Sequence, residues 1–213
     1  MDDRERPLRE RLIDVGVELV TTEGTGSLGL REIARRAGVS HGAPRRHFPT
    51  HHSLLSAIAR RGFADLGARF AAACAGEPSP RGQVRALGAA YVGYALEQRG
   101  MFELMFRHDL LDSTGQEPSD GPRLRESTVP LFGLLVSLVS RCGAAEPAVT
   151  AAALWANLHG VAQLWGWGSL QLAVAGDGIV VERLVDAALD AHLGPDPGPD
   201  HGPDLGPAAG SAS

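Results

Sequence analysis

Five arginines and two histidines lie within the eighteen residues 31–48, REIARRAGVSHGAPRRHF, and Glu32 is the only acid among them. The chain as a whole is acidic, with a formal net charge of −5 at pH 7. Guanidinium groups bind phosphate and the O6/N7 edge of guanine through paired hydrogen bonds. This segment therefore favours recognition of a polyanion. The alternative is a solvated helix face, on which both signs of charge usually occur.

Short helices are predicted to position these side chains, because the surrounding apolar residues recur at helical spacing. The pattern predicts a first helix over residues 8–20 and a second over Leu30–Ala37, which stops at Gly38. Ser40 is predicted to cap a third helix, His41–His47. Two short helices joined by a three-residue turn with a glycine are typical of a helix-turn-helix, whose second helix enters the major groove of DNA.

Residues 8–60 also resemble the N-terminal DNA-binding domain of the TetR family of transcriptional regulators. The resemblance rests on EIA-x-x-AGVS-x-G followed by HF-P. It implies an all-α homodimer that binds a palindromic operator in double-stranded DNA, with a larger helical C-terminal domain for ligand binding and dimerisation. The DNA-binding residues implied by the matching positions are Arg31, Ser40, His41, Gly42, Ala43, Arg45, Arg46, His47 and His51.

Three positions depart from the family pattern. Arg45 replaces the usual aromatic residue, most often tyrosine, and an arginine there predicts a more GC-rich operator. His51 replaces a frequent lysine, which weakens one expected phosphate contact, and Gly29 provides no side-chain oxygen to cap the second helix. Phe48 is predicted to anchor the recognition segment in the core.

The composition predicts four regions. Residues 1–50 form the helix-turn-helix domain, 51–75 a connecting helix, 76–193 the ligand-binding and dimerisation domain, and 194–213 a disordered tail rich in Gly and Pro. Residues 147–171 are apolar on nearly every face, and 177–193 are amphipathic. Helices over these two segments are predicted to form a four-helix dimer interface with their counterparts in a second subunit.

The C-terminal half contains W155-A-N-L-H159-G160, which resembles the signature of a TetR-family C-terminal domain called WHG. Nearby methionines and aromatics suit an adaptable apolar pocket for a small effector. The alternative for all these side chains is packing in the core, including a hydrogen-bonded ring at His159. The predicted ligand-binding residues are Tyr91, Tyr94, Met101, Phe102, Met105, Phe106, Trp155 and His159, with Arg107 and His108 at the pocket mouth.

Other classes of function lack their characteristic residues. No nucleophile–base pair, glycine-rich phosphate loop or paired carboxylate is present, so neither an enzyme nor a cofactor is predicted. The clustered histidines lack an acid or cysteine to complete a metal site. No apolar run reaches eighteen residues, and the predicted location is cytoplasmic. A ligand-released repressor is the predicted function. An activator of the same family and a sequence-independent nucleic-acid-binding protein are the alternatives.

Overall fold

The computed structural model describes residues 7–107, 109–111, 124–173 and 178–196. Within these ranges the protein is built of α-helices and short 3₁₀ turns, with no β-strand, which confirms the predicted all-α fold. The helices are α1 (Leu8–Glu23), α2 (Leu30–Arg36), α3 (His51–Ala75), α4 (Pro80–Glu97), α5 (Arg99–Phe106), α6 (Leu124–Arg141), α7 (Pro147–Gly166), α8 (Ser169–Ala173) and α9 (Val181–Leu193).

The turn after α2 follows from one glycine. Gly38 has a φ of +67°, which an L side chain rarely adopts. Its N–H donates to the carbonyl of Arg35 at 3.1 Å, and the N–H of Val39 donates to the carbonyl of Ala34 at 3.0 Å. These two bonds form a Schellman motif, which satisfies the last carbonyls of α2 and reverses the chain.

The prediction of a third α-helix over His41–His47 is wrong in the type of helix. Residues 41–43 form a turn, and only Pro44–Arg46 is helical, as one 3₁₀ turn. Proline has no N–H to donate within an α-helix, so the regular ladder cannot pass through Pro44. Ser40 does not cap this segment with its side chain. Instead, its backbone carbonyl accepts from the N–H of Ala43 at 3.0 Å.

The long helix α3 joins the two halves of the molecule. Thr50 caps it, within a capping box shared with Ser53. Its inner face contacts α1 on one side and α4, α5 and α6 on the other. Helix α7 packs against α4, α6 and α9 and closes the C-terminal bundle. A single chain therefore has one continuous buried core that runs from α1 to α9.

The last predicted helices differ from the structure in two ways. The segment 147–171 is broken after Gly166, because Gly168 adopts a φ of +78° before the short helix α8. Within one chain α7 buries only one face, and Val149 and Trp167 on its outer side are 62% and 64% exposed. The predicted loop over 112–122 and residues 197–213 of the predicted tail lie outside the described residues.

Candidate DNA interface and effector cavities

Three arginines of the helix-turn-helix are exposed and make no side-chain interaction with the described residues. Arg31, Arg45 and Arg46 have no ion pair or side-chain hydrogen bond with any residue that the structure describes. Arg35 and Arg36 differ, because both guanidinium groups bind the carboxylate of Glu32. The predicted charge cluster thus separates into arginines neutralised within the protein and arginines available for phosphate or base edges.

Glu32 responds to the two arginines that it binds. The hydrogen bonds from Arg35 and then from Arg36 lower the pKa of Glu32 to about 2. The carboxylate therefore stays ionised throughout the physiological range. Arg36 also binds Glu23 at the end of α1, so it ties α2 to α1. This arrangement gives Arg36 a structural role between the two helices and pairs Arg35 within α2.

Apolar anchors hold the recognition segment against α1. Phe48 is buried as predicted, and the guanidinium of Arg9 lies 5.2 Å from the centre of its ring. Pro44 is also buried, and Arg11 of α1 donates to the backbone carbonyl of Ala37 at 2.6 Å. These contacts fix the backbone on both sides of Arg45. The side chain of Arg45 is therefore attached at a defined position on the surface.

The remaining predicted DNA-binding residues lie on the same short stretch of surface. Ser40, His41, Gly42 and His47 are exposed, and Ala43 is partly exposed. A Cβ on Gly42 would meet no atom within 4 Å, so the fold itself does not require glycine at this position. We expect the missing side chain of Gly42 to let a DNA backbone approach closely.

His51 forms a hydrogen bond within the protein. Its Nε2 lies 2.6 Å from the backbone carbonyl of Leu28, so this nitrogen carries the proton and donates to that oxygen. The bond fastens the start of α3 to the loop before α2. This geometry opposes the predicted phosphate contact from Nε2. No local sequence pattern indicated this hydrogen bond, because its acceptor lies 23 residues earlier in the chain.

A cavity of about 270 Å³ lies among α3, α4, α5, α6 and α7. Its walls are almost wholly apolar, and it opens at the exposed side chains of Val129, Phe132 and Trp155. We call it the first cavity. The lining residues are Phe63, Leu66, Phe70, Leu87, Tyr91, Met105, Phe106, Thr128, Val129, Leu131, Phe132, Leu135, Trp155 and Leu158.

A second cavity, of about 340 Å³, lies between the end of α4, helix α5 and helix α7. Phe106 is common to both cavities and separates them. The walls of the second cavity include charged and amide side chains as well as aromatic rings. The lining residues are Ala95, Arg99, Phe102, Glu103, Phe106, Arg107, His159, Ala162, Gln163, Gly166 and Trp167.

A short hydrogen-bond chain crosses the wall between the cavities. The indole N–H of Trp155 donates to the hydroxyl oxygen of Tyr91 at 3.0 Å, and that oxygen lies 2.7 Å from Nδ1 of His159. Burial raises the pKa of Tyr91 and lowers the pKa of His159, so both groups are neutral near pH 7. Tyr91 then donates to Nδ1, and the ring proton of His159 lies on Nε2.

The predicted ligand-binding residues fall into three groups. Tyr91, Met105, Phe106 and Trp155 line the first cavity, and Phe102 and His159 line the second one with Phe106 and Arg107. Tyr94 and Met101 line neither of these two cavities. His108 lies outside the described residues.

Tyr94 and Met101 pack on α3. The hydroxyl of Tyr94, on α4, donates to the carbonyl of Gly62 at 3.3 Å, and Met101, on α5, covers the space where a Gly62 side chain would be. Their types suit a pocket, but only the packing of α4 and α5 on α3 decides which face they meet. Residues of α3 and α6 complete the first cavity, and the ligand prediction omitted them.

Removing the central hydroxyl of the chain is expected to destabilise the protein. Tyr91→Phe leaves the indole N–H of Trp155 and Nδ1 of His159 without this partner. We expect the free energy of unfolding to fall by about 1–3 kcal/mol, as measured by denaturant unfolding at fixed protein concentration. Tyr94→Phe is the matched control, with a smaller expected loss because its bond is longer. Equal losses in the two variants would contradict the prediction.

Two other kinds of site have no candidate in the part of the chain that the structure describes. The described residues contain no group of three or more His, Cys, Asp or Glu side chains placed to hold a metal ion. None of the described helices has the combination of length and apolar character that crossing a membrane requires.

Known structures share this fold. A protein of unknown function from Rhodococcus sp. RHA1 is 30% identical, with a TM-score of 0.72, over 91% of this chain and 97% of that one. The TetR family regulator PfmR from Thermus thermophilus is 18% identical, with a TM-score of 0.58, over 87% and 98% of the two chains. A Rhodococcus transcriptional regulator is 21% identical, with a TM-score of 0.62, over 87% and 95%.

Family models match both halves of the sequence. Residues 12–58 match the bacterial regulatory proteins of the tetR family, and residues 84–191 match the tetracyclin repressor-like C-terminal domain. The second match includes the whole Trp155–Gly160 motif. No curated protein matches the chain. The two matches, on either side of the long helix α3, show that this chain belongs to the TetR family of transcriptional regulators.

Proposed function

We propose that this protein is a homodimeric repressor that leaves a palindromic operator when a small apolar molecule occupies the first cavity. The observation that carries the proposal is that α5 forms a wall of this cavity and also contacts α1 of the DNA-binding domain. One helix thus touches both the candidate effector site and the support of the recognition segment.

The contacts at the two ends of α5 support this coupling. Phe106, at its C-terminal end, lines the first cavity, and Gly100, near its start, packs on the backbone of α1 at Val20. The hydroxyl of Thr25, just beyond α1, donates to Glu103 at 3.2 Å. A ligand that displaces Phe106 would therefore shift α5 against α1. By linkage, operator DNA then weakens the effector to the same degree as the effector weakens DNA.

An exposed apolar surface supports the homodimer. Val149 and Leu164 of α7 are both exposed in a single chain. Exposed apolar side chains of this kind are typical of a surface that contacts another protein chain. A dimer places two recognition segments on one face of the duplex, about one helical turn apart, and this spacing requires a palindromic site.

Selection of bound fragments from the source genome tests the DNA-binding part. We expect a discrete palindrome, and footprinting should protect two half-sites about one turn apart. A shallow binding profile without sequence preference would favour the alternative of a sequence-independent DNA-binding protein. Transcription from the selected promoter in vitro then separates a repressor from an activator.

Filling the first cavity is expected to abolish its ligand binding. Leu87→Phe adds a ring to the wall, and we expect affinity for the neutral apolar probe N-phenyl-1-naphthylamine to fall at least about tenfold. Probe fluorescence measures binding, and Leu8→Phe on α1, away from both cavities, is the control. Release from the operator by the probe should be lost in Leu87→Phe alone. Unchanged probe binding in that variant would contradict the assignment of this cavity.

A further inference from the structure

The second cavity has a different chemical character from the first. Arg99, Glu103 and Arg107 of α5 contribute charged groups to its walls, and His159 and Gln163 of α7 contribute hydrogen-bonding groups. Among the described residues that line the first cavity, Thr128 and the hydrogen-bonded Tyr91–Trp155 pair are the only polar side chains. An apolar effector cannot form ion pairs or hydrogen bonds with the charged groups of the second cavity.

The charges of the second cavity are unequally satisfied. Arg107 binds Asp109 through two hydrogen bonds of 2.8 Å, and its guanidinium also lies 3.5 Å from Glu103. Glu103 accepts from Thr25 as well. Arg99 has no ion pair or side-chain hydrogen bond with any residue described in the structure. The available charge is therefore positive and belongs to one guanidinium, whose planar edge suits a carboxylate.

A second donor lies on the α7 wall. Because Nδ1 of His159 accepts from Tyr91, the ring proton lies on Nε2. The amide nitrogen of Gln163 lies 3.5 Å from this Nε2, and two N–H groups cannot form a hydrogen bond with each other. Both groups are consequently able to turn toward a ligand oxygen. A cation is disfavoured, since Arg99 and Arg107 share the same walls.

Aromatic rings form the rest of the enclosure. Phe102 stacks on the ring of His159 with centres 5.4 Å apart, and Phe106 lies edge-on to His159 at 4.9 Å. Trp167 stands on the wall with 64% of its surface exposed. Flat rings around a cavity fit a planar apolar body, and Arg99 fits an acid attached to it.

We propose that the second cavity binds a small aromatic carboxylate, with its acid group on Arg99 and its ring among Phe102, Phe106 and Trp167. This is a second ligand site, separate from the apolar first cavity. It concerns binding to the protein alone and does not depend on the proposed response of the operator complex.

Calorimetric titration of the full-length protein with sodium benzoate tests the proposal. We expect saturable binding, a Kd at least about tenfold weaker in Arg99→Gln, and equally weak binding of neutral benzamide to the unaltered protein. Arg125→Gln is the matched control, because Arg125 is exposed on α6 and lines neither cavity. Absence of benzoate binding, or equal affinity in Arg99→Gln, would overturn the proposal.

A second arm distinguishes the two cavities. Leu87→Phe, which fills the first cavity, should still bind benzoate with unchanged affinity while it loses N-phenyl-1-naphthylamine. Loss of both ligands in this variant would place benzoate in the first cavity and overturn the proposal. Neither titration contains DNA, so failure here is distinct from failure to find an operator or its release.

Discussion

Replacing Gly100 with alanine is expected to lower the free energy of unfolding by about 1–3 kcal/mol. A Cβ at this position would lie less than 3.0 Å from the backbone oxygen of Val20, closer than real Cβ atoms come to other atoms. The obstacle is backbone of α1, not the end of a flexible side chain. Helix α5 can accept the methyl group only by moving away from α1, which opens the packing between the two domains.

A second glycine on the neighbouring helix provides the control. Gly93 lies within α4, and a Cβ there would meet no atom within 4 Å. Gly93→Ala is therefore expected to raise stability by up to about 1 kcal/mol, because alanine favours the helix. Denaturant unfolding at a fixed subunit concentration measures both variants, since the proposed dimerisation would make stability depend on concentration. If the free energy of unfolding changed by the same sign and size in both variants, the close packing of Gly100 on α1 would not contribute to stability.

Replacing Arg45 with alanine is expected to weaken operator binding by about 1–3 kcal/mol, roughly five- to 150-fold, and to relax base preference at one position of each half-site. The buried neighbours Pro44 and Phe48 fix the backbone beside Arg45, and its guanidinium has no partner within the described structure. An arginine so placed reads guanine through O6 and N7. The preferred base at that position is accordingly expected to be guanine.

Variants of two further arginines distinguish the recognition of a base from the neutralisation of phosphate charge. Arg31→Ala should weaken binding to all sequences alike and lower the salt dependence by about one unit of slope, as expected for loss of one phosphate contact. Arg35→Ala is the matched control on the same helix, because Glu32 already binds its guanidinium. Binding to a randomised operator library at several salt concentrations measures all three. Unaltered base preference in Arg45→Ala would contradict the assigned role.

Local sequence patterns were sufficient for the helices and for the turn between them. Gly38 predicted the reversal after α2, and a capping box at Thr50 starts α3. Both motifs act through hydrogen bonds within a few residues, so a short stretch of sequence specifies them completely. The charge cluster lies within the domain that the N-terminal family model matches, and its contact with DNA stays a prediction.

The same local reasoning was wrong at Pro44. The periodicity of the segment 41–47 resembles a helix, but a missing backbone donor restricts it to one 3₁₀ turn. Which arginines remain free was also beyond a local pattern. Arg36 is neutralised partly by Glu23, thirteen residues earlier, and His51 is committed to a carbonyl twenty-three residues earlier.

The ligand sites depended most on tertiary structure. Composition indicated methionines and aromatics suited to a pocket, and the sequence by itself determined the fold and the family. Only the packing of α4 and α5 on α3 placed Tyr94 and Met101 in the core. The remaining residues are divided between two cavities by the positions of α5 and α7. The physical reason is that a cavity is bounded by side chains from helices distant in sequence. Their mutual rotation is decided by long-range packing, which no periodicity along one helix records.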